Sequence, residues 1–334
     1  MQMRRLGTLG PLVSSIGLGT RSIANLHGSS GCDDAMRLLS RAIDLGINHF
    51  DTADIYGMGM SEELIGRFLP SQRHRIVIST KAGIRFVPAT GERRIDNSPA
   101  YLRSALEKSL KRLGRDHVDI LYVHRREADR PIEEVIQAMA QLKREGKIGA
   151  IGLSEVSPAT LRRANREYRI AAVQSEYSLW SREVEREMLA TCRELGVTFV
   201  ASSPLARGML TGAHIDPVAF AKGDFRRVNP RFQEPAFSKN RSAIARYIDH
   251  ANACHASPGP LALAWVLAAD THVIAIPGTC SPDHLADNAS AARIYLTAAQ
   301  RRDVEASLPP DFPYGDRHSD AQRVGVEPAC TKSG

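Results

Sequence analysis

The chain has 334 residues, 43% hydrophobic and 24% charged, which is close to an ordinary globular composition, so it can bury a sizeable core and is not disordered as a whole. Its 44 basic and 37 acidic residues give a formal charge of +7. The basic residues are spread through mixed-sign segments without a nucleic-acid motif or a stacking aromatic run, which argues against nucleic acid as a partner.

After a short amino-terminal pair of strands, apolar runs alternate with segments of helical period. Strands are expected at 15–19, 47–51, 76–81, 118–124, 148–154, 171–175, 198–202 and 273–277. Helices are expected to begin near Asp33, Ser61, Pro99, Pro131, Ser157, Val184, Pro258 and Ser281, several of them marked by a cap or a first-turn proline. Gly46, Gly114, Gly146 and Gly196 each close a helical pattern ahead of a strand, where a left-handed cap belongs. Repeated β-α units without consecutive strands predict an α/β fold, a parallel sheet of eight strands closed into a (β/α)8 TIM barrel. The pattern adds an amino-terminal hairpin, a long polar insertion at 212–239, an extra helix over 238–254 and further helix at the carboxyl end. One catalytic domain is expected over 1–312 and a mobile tail over 313–334.

The longest apolar stretch is far short of the ~20 residues that cross a bilayer, and the first residues lack a charged-then-apolar signal pattern. Five cysteines occur without paired spacing, which argues against a disulfide framework and a zinc cluster. A soluble, cytoplasmic chain with no membrane association and no metal is expected. Generic dinucleotide and phosphate loops are missing: Gly17-Leu18-Gly19 lacks the third glycine of the usual fingerprint.

Active sites of such barrels lie at the carboxyl ends of the strands. The ionisable residues that fall there are Asp51, Tyr56, Lys81 and His124. Asp51 ends the second strand with Tyr56 in the loop behind it, Lys81 ends the third and His124 the fourth. Each alone has a plain structural reading: a loop cap, a half-buried aromatic, a solvated strand end, a core histidine. Together they form a proton-transfer set. A tyrosine of reference pKa ~10 becomes a usable acid when an ammonium stabilises its phenolate, and a carboxylate can hold that ammonium. The imidazole would orient a carbonyl oxygen.

The run Gly46-Ile47-Asn48-His49-Phe50-Asp51-Thr52-Ala53, followed by Tyr56-Gly57 and Ser61-Glu62-Glu63-Leu64-Ile65-Gly66, closely resembles the aldo-keto reductase signature. Ile78-Ser79-Thr80-Lys81, Asp119-Ile120-Leu121-Tyr122-Val123-His124, Gly152-Leu153-Ser154, Val173-Gln174, Ser203-Pro204-Leu205 with Arg207-Gly208, and Ile276-Pro277-Gly278-Thr279 with Asp287-Asn288 continue the likeness in order, over roughly 3–308. The resemblance implies a nicotinamide-dependent reductase that transfers hydride to an aldehyde or ketone while Tyr56 protonates the oxygen. Lys81 and Asp51 would tune the tyrosine, and His124 with Arg125 would meet the substrate. It also implies that Gly19, Thr20 and Arg21 flank the nicotinamide ribose and substrate, that Asp51 takes part in binding the cofactor, and that Ser154 and Gln174 bond the carboxamide. Leu205 and Arg207, in one cofactor loop with Ser202, Ser203 and Pro204, would line the pyrophosphate and ribose. Gly278, Thr279, Cys280, His284, Asp287 and Asn288 would surround the adenosine end.

The departures shape the expectation. Ser202 stands where many members carry a tyrosine that stacks on the nicotinamide, and Glu155 replaces an asparagine after the fifth-strand serine. Cys280 and His284 stand where relatives often use Lys or Arg, which weakens phosphate recognition at the adenosine ribose; NADPH remains the expected cofactor, with Arg207 and neighbouring basic residues compensating, and NADH is the alternative. Cys280 has a second reading as a redox-sensitive thiol. A nicotinamide-binding regulatory or redox-sensing subunit with slow turnover is the alternative function. Arg125-Arg126 could meet an anionic substrate or pair with loop carboxylates. Tyr177 and Trp180 could line the pocket or cover the barrel end, and 225–232 reads as a lid. Which carbonyl compound is the substrate, and whether the chain forms oligomers, stay open.

Overall fold

The computed structural model describes residues 1–25, 28–87, 92–309 and 311–328. An antiparallel ribbon, β1 (Met3–Arg5) and β2 (Leu12–Ser14), precedes the main sheet. The sheet has eight parallel strands: β3 (Leu18–Gly19), β4 (His49–Asp51), β5 (Val77–Ala82), β8 (Val118–Val123), β9 (Ile148–Ser154), β10 (Ile170–Glu176), β11 (Thr198–Ser202) and β12 (Val273–Ala275). These follow one another in chain order around the sheet. Closure comes from a parallel bridge between Ile16 and Ala275, with Gly17 N–H donating to Ala275 O at 2.8 Å and Gly19 N–H to Pro277 O at 3.0 Å. The eight expected strands are the eight observed ones, so the chain is a (β/α)8 barrel.

The helices that cover the barrel are α1 (Gly28–Asp44), α2 (Met60–Phe68), α3 (Pro99–Leu113), α4 (Ile132–Arg144), α5 (Pro158–Glu167), α6 (Met188–Leu195), α8 (Pro258–Leu267) and α9 (Pro282–Ser290). Ser98, Ser157 and Ser281 cap α3, α5 and α9 by accepting a backbone N–H, as their place before a first-turn proline predicts. Helix α1 starts five residues ahead of Asp33, since the glycines and serines of Gly28-Ser29-Ser30-Gly31 have low helix propensity and give no start signal in sequence. The extra helix is α7 (Ala236–Ala253), and α10 (Ala298–Ala306) adds another near the end. A second ribbon, β6 (Ile84–Phe86) with β7 (Arg93–Ile95), rises from the rim after β5. It has no legible signal, since each strand is three residues long and together they hold three arginines.

Residues 311–328 make contacts across the rim. Asn229 Nδ2 donates to Arg317 O at 2.9 Å, Glu327 N–H donates to Glu155 O at 2.9 Å, and α11 (Asp320–Arg323) lies under Arg93, whose Nη1 donates to Ala321 O at 3.0 Å. Residues 311–328 therefore strap the rim instead of extending from it. Residues 329–334 of the expected tail, with Cys330, lie outside the described residues. No helix among the described residues is long and apolar enough to cross a membrane.

Alternation sorts the strand side chains. Phe50, Ile78, Leu121, Ile151, Val173 and Phe199 face the helices in the large core. Val77, Ile120, Tyr122, Ala172, Val200 and Ile274 fill the barrel interior, where Leu6 and Val13 of the amino-terminal ribbon join them. Gly152 makes that interior close at one point: a Cβ there would lie 2.4 Å from the ring of Tyr122, which is fully buried. Gly152→Ala should cost about 2 kcal/mol, as overpacking does. Urea denaturation will show it, and a shift near zero would mean the Tyr122 ring can move.

Candidate active site

The same alternation carries polar side chains inward at the carboxyl ends of the strands. Lys81, with no exposed surface, donates from Nζ to Asp51 Oδ1 and to Thr52 O, the latter at 2.7 Å. Gln174 Nε2 donates to the other Asp51 oxygen at 2.8 Å. Burial opposes the ammonium, but Asp51 and, behind it, Tyr56 outweigh burial and raise the Lys81 pKa above its ordinary value. The lysine is therefore a fixed cation.

Tyr56 reaches this pair from the loop after β4. The residues behind it, Gly57, Met58 and Gly59, all have positive φ, and a Cβ on Gly57 would lie 2.8 Å from the Ala24 side chain. That tight turn brings the Tyr56 ring over Lys81, with Nζ 5.1 Å from the ring centroid. The His124 ring stands edge-on to Tyr56 with centroids 6.0 Å apart. Burial, followed by the charges of Arg125, Lys81, Arg93 and Arg21, holds the His124 imidazole well below its usual pKa, so it is neutral. The structure thus brings Asp51, Tyr56, Lys81 and His124 together.

Ser61 and Glu62, next in the same motif, are structural. Ser61 Oγ donates to Thr20 Oγ1 at 2.8 Å, and buried Glu62 accepts from Thr80 and from Arg112. Thr20 is drawn into this lattice: its hydroxyl and N–H both donate to Asp51 O at 2.9 Å.

The remaining sequence candidates divide into three groups. Ser154, buried, accepts from Arg125 Nη1 at 3.2 Å and lies on the same rim as Gln174, which pairs in register with it. The loop 202–208 follows β11, with positive φ at Ser203, Ala206, Arg207 and Gly208, and with Pro204 buried and Leu205 partly so. Arg21 sits 4.1 Å and Arg207 5.6 Å from the Phe225 ring centroid, on one patch beside this loop. Gly19 and Gly278 bring the ends of β3 and β12 into contact, since a Cβ on Gly278 would lie 2.9 Å from Gly19 O. Thr279 Oγ1 accepts from Ser281 N–H at 3.0 Å at the start of α9, where Cys280, His284 and Asp287 are exposed and Asn288 is buried.

Arg207 does not present a free guanidinium to a pyrophosphate. It forks onto buried Glu176, with Nη1 to Oε1 at 2.9 Å. Glu176 was missed by the sequence reading, although it lies two residues beyond Gln174 and so shares its inward face. It also accepts from Ser181 at 2.8 Å and from Arg317 Nε at 3.2 Å, while Arg231 stands 3.8 Å away. Despite burial, Arg207 and Arg317 hold its carboxyl well below the usual range. Glu155 acquires a role here. It pairs with Arg317 and its Oε1 accepts Glu176 N–H at 3.0 Å, so the carboxylate in place of asparagine anchors the tail.

Tyr177 and Trp180 are fully buried against Trp265 and Phe232 and cover the barrel end. In the segment 225–232, Arg231 donates to Trp180 O at 3.0 Å, which packs the segment down. Although Cys280 reaches the surface, the protein around its sulfur partly desolvates it and raises the thiol, which disfavours the reactive thiolate a redox sensor needs. Among the described residues no cluster of His, Cys, Asp and Glu is suited to a metal.

Residues 15–308 match the family model described as Aldo/keto reductase family. The chain belongs to the aldo/keto reductase family. It is 40% identical over 297 residues to an NADP(+) aldo-keto reductase of Schizosaccharomyces pombe, covering 87% of each chain. It is 38% identical over 313 residues to a probable aldo-keto reductase of Glycine max, covering 92% of this chain and 89% of the other. A glycerol dehydrogenase of Gluconobacter oxydans superposes with a TM-score of 0.85 at 29% identity, over 93% and 96% of the two chains. A Klebsiella pneumoniae aldo/keto reductase solved with NADP and acetate gives 0.72 at 28% identity, over 95% and 98%. As a member of this family the protein is an oxidoreductase of carbonyl and alcohol groups.

Two outcomes follow from these charges. Lys81→Met strands the Asp51 carboxylate and should cost about 3–5 kcal/mol in urea denaturation, whereas adding Asp51→Leu should recover much of that loss. His318 in the tail is depressed from 6.5 to about 4 by burial and then by Arg317. Between those values the unfolded chain takes up a proton that the native chain refuses, so stability is full above pH 6.5 and falls towards pH 4. His49, likewise depressed to about 4 by burial, adds a parallel slope. His318→Gln should flatten the profile of melting temperature against pH over that window, and an unchanged slope would contradict a neutral His318.

Proposed function

We propose that the chain is an NADPH-dependent reductase of aldehydes or ketones in which Tyr56 is the general acid. The observation that carries this reading is the convergence of the Tyr56 ring and neutral His124 on the Lys81–Asp51 pair.

The residues at the barrel mouth fit a dinucleotide. The Ser154 hydroxyl and the Gln174 amide share one rim, the Arg21 cation meets Arg207 of the loop after β11 on the Phe225 ring, and α9 offers a helix amino terminus to a phosphate. In this reading Ser154 and Gln174 hold the carboxamide. Gly19, Thr20 and Arg21 flank the ribose and diphosphate together with Ser202, Ser203, Pro204 and Leu205. Gly278, Thr279, Cys280, His284, Asp287 and Asn288 take the adenosine end. Arg207 contributes only if the diphosphate displaces Glu176. The bound cofactor supplies the hydride to the carbonyl carbon.

Tyr56 gives its hydroxyl proton to the carbonyl oxygen as the bond polarises, and Lys81 stabilises the phenolate left behind. Asp51 keeps Lys81 aimed, and Gln174 keeps Asp51 aimed. Neutral His124 donates an N–H to the same oxygen, which a permanently charged neighbour would do at the cost of repelling Lys81. The family relative named for NADP(+) and the neighbour solved with NADP support the choice of cofactor.

Tyr56→Phe should lower carbonyl reduction by about 10²–10⁴-fold, the range of general acid catalysis. NADPH binding, read by nicotinamide fluorescence, should stay within a few-fold. Loss of reduced-nicotinamide absorbance against an aldehyde panel, with NADPH and NADH in parallel, provides the readout. Full turnover by the variant would remove Tyr56 from the chemistry.

A further inference from the structure

The charges at the barrel mouth can be paired off one by one. Asp51 neutralises Lys81. Glu155 and Glu176 are engaged by Arg317, and Glu176 also by Arg207. Arg126, one of the two arginines after His124, is taken by Glu327 of the tail at 3.1 Å. Arg21 lies on the Phe225 patch beside the cofactor loop.

Three arginines are left without a carboxylate: Arg21, which rests on the Phe225 ring beside the cofactor loop, and Arg125 and Arg93 on the His124 side. Arg125 donates to His124 O at 2.6 Å and to Ser154 Oγ at 3.2 Å, and its Nε is buried with no hydrogen-bond partner. The nearest opposing charge, Glu155, is already held by Arg317 and by the N–H of Glu176. Arg93, from the β6–β7 ribbon, is spent on the tail carbonyls of Ala321 and Val324. Among the described residues no carboxylate lies within 4 Å of either guanidinium. Arg93 reaches the carbonyl of Val324, and the next residue, Gly325, packs so closely on Arg125 that a Cβ there would lie 2.8 Å from Arg125 Cβ, so the tail brings the two arginines to one place. They repel one another, and both charges bear on the His124 ring. Holding two partly desolvated cations together is costly unless an anion joins them, and a fork of guanidinium donors suits a carboxylate or phosphate.

We infer that the substrate is a carbonyl compound carrying an anionic group, carboxylate or phosphate, which Arg125 and Arg93 hold beside His124. This rests on the reductase reading and deepens it. It also gives the β6–β7 ribbon a task, since the ribbon brings Arg93 to a rim that the barrel strands alone leave without it. Arg126 stands next to Arg125 in sequence but serves the tail.

The test compares two pairs of aldehydes with NADPH: 4-carboxybenzaldehyde against its methyl ester, and glyceraldehyde 3-phosphate against glyceraldehyde. The wild-type enzyme should favour the anion of at least one pair by tenfold or more in kcat/KM. The preference should sit mainly in KM and shrink as salt is raised from low ionic strength. The favoured pair tells carboxylate from phosphate. Arg93→Gln and Arg125→Gln should each bring the anion-to-neutral ratio down about tenfold, while Arg93→Lys should retain part of it. The ratio is read within one preparation, so partial misfolding of a variant cancels.

Turnover of the neutral aldehydes with no advantage for either anion overturns this inference alone. A ratio that survives both glutamine variants also overturns it, as does a large loss of NADPH binding with the ratio intact, which would assign the arginines to the cofactor. Failure of all four aldehydes to turn over counts against the reductase reading itself.

Discussion

A lysine with no exposed surface sits at the mouth of this barrel, and the surroundings are arranged to keep its charge. An ammonium taken out of water loses several kcal/mol of hydration, which must be offset by a close opposite charge and by hydrogen bonds to its remaining protons. Asp51 provides the charge and Thr52 O one acceptor, and the Asp51 carboxylate is held in turn by Gln174. Thr20 fixes the backbone of Asp51 from β3. One ion pair thereby ties together the carboxyl ends of β4, β5 and β10 and the loop after β3. Tyr56 and His124 are arranged around a cation held by Asp51 and Thr52 O, whose pKa lies above the ordinary value.

A second layer of charge closes over the first. Glu155 and Glu176 draw in Arg207 from the loop after β11, Arg231 from the insertion and Arg317 from the tail. Three segments far apart in sequence meet on two carboxylates, and this shapes the rim where the strands have already ended. Buried ion networks of this kind owe their strength to full pairing, so an arginine without a carboxylate stands out against them. Arg21, Arg125 and Arg93 are the exceptions; Arg21 rests on Phe225 beside the cofactor loop, and Arg125 and Arg93 lie on the side of the histidine that would face the substrate.

The departures from common family residues make sense within this layer. Glu155 cannot donate the hydrogen bonds of the asparagine it replaces, but it accepts from Arg317 and from the Glu176 N–H. The tail it secures was read from sequence as mobile, because 313–334 has neither helical nor strand period. The contacts of 311–328 come from arginine and glutamate side chains reaching across more than a hundred residues, an interaction that leaves no local pattern.

Much of the fold was legible because its signals are local. Apolar strand runs recur eight times, punctuated at several places by serine caps before first-turn prolines and by glycine helix ends, and each is an energy decided within a few residues. The motif around Asp51, Tyr56, Lys81 and His124 was legible too, since strand ends of a barrel must converge. What the tertiary structure alone decided is which charges are spent. Arg125 and Arg126 are adjacent and chemically identical in sequence, yet Glu327 takes one and leaves the other facing the site. Arg207 reads as a phosphate ligand until Glu176 is seen to hold it. Hydrophobic periodicity records which side chains leave water, whereas the pairing of charges depends on distances between segments that only the closed barrel brings together.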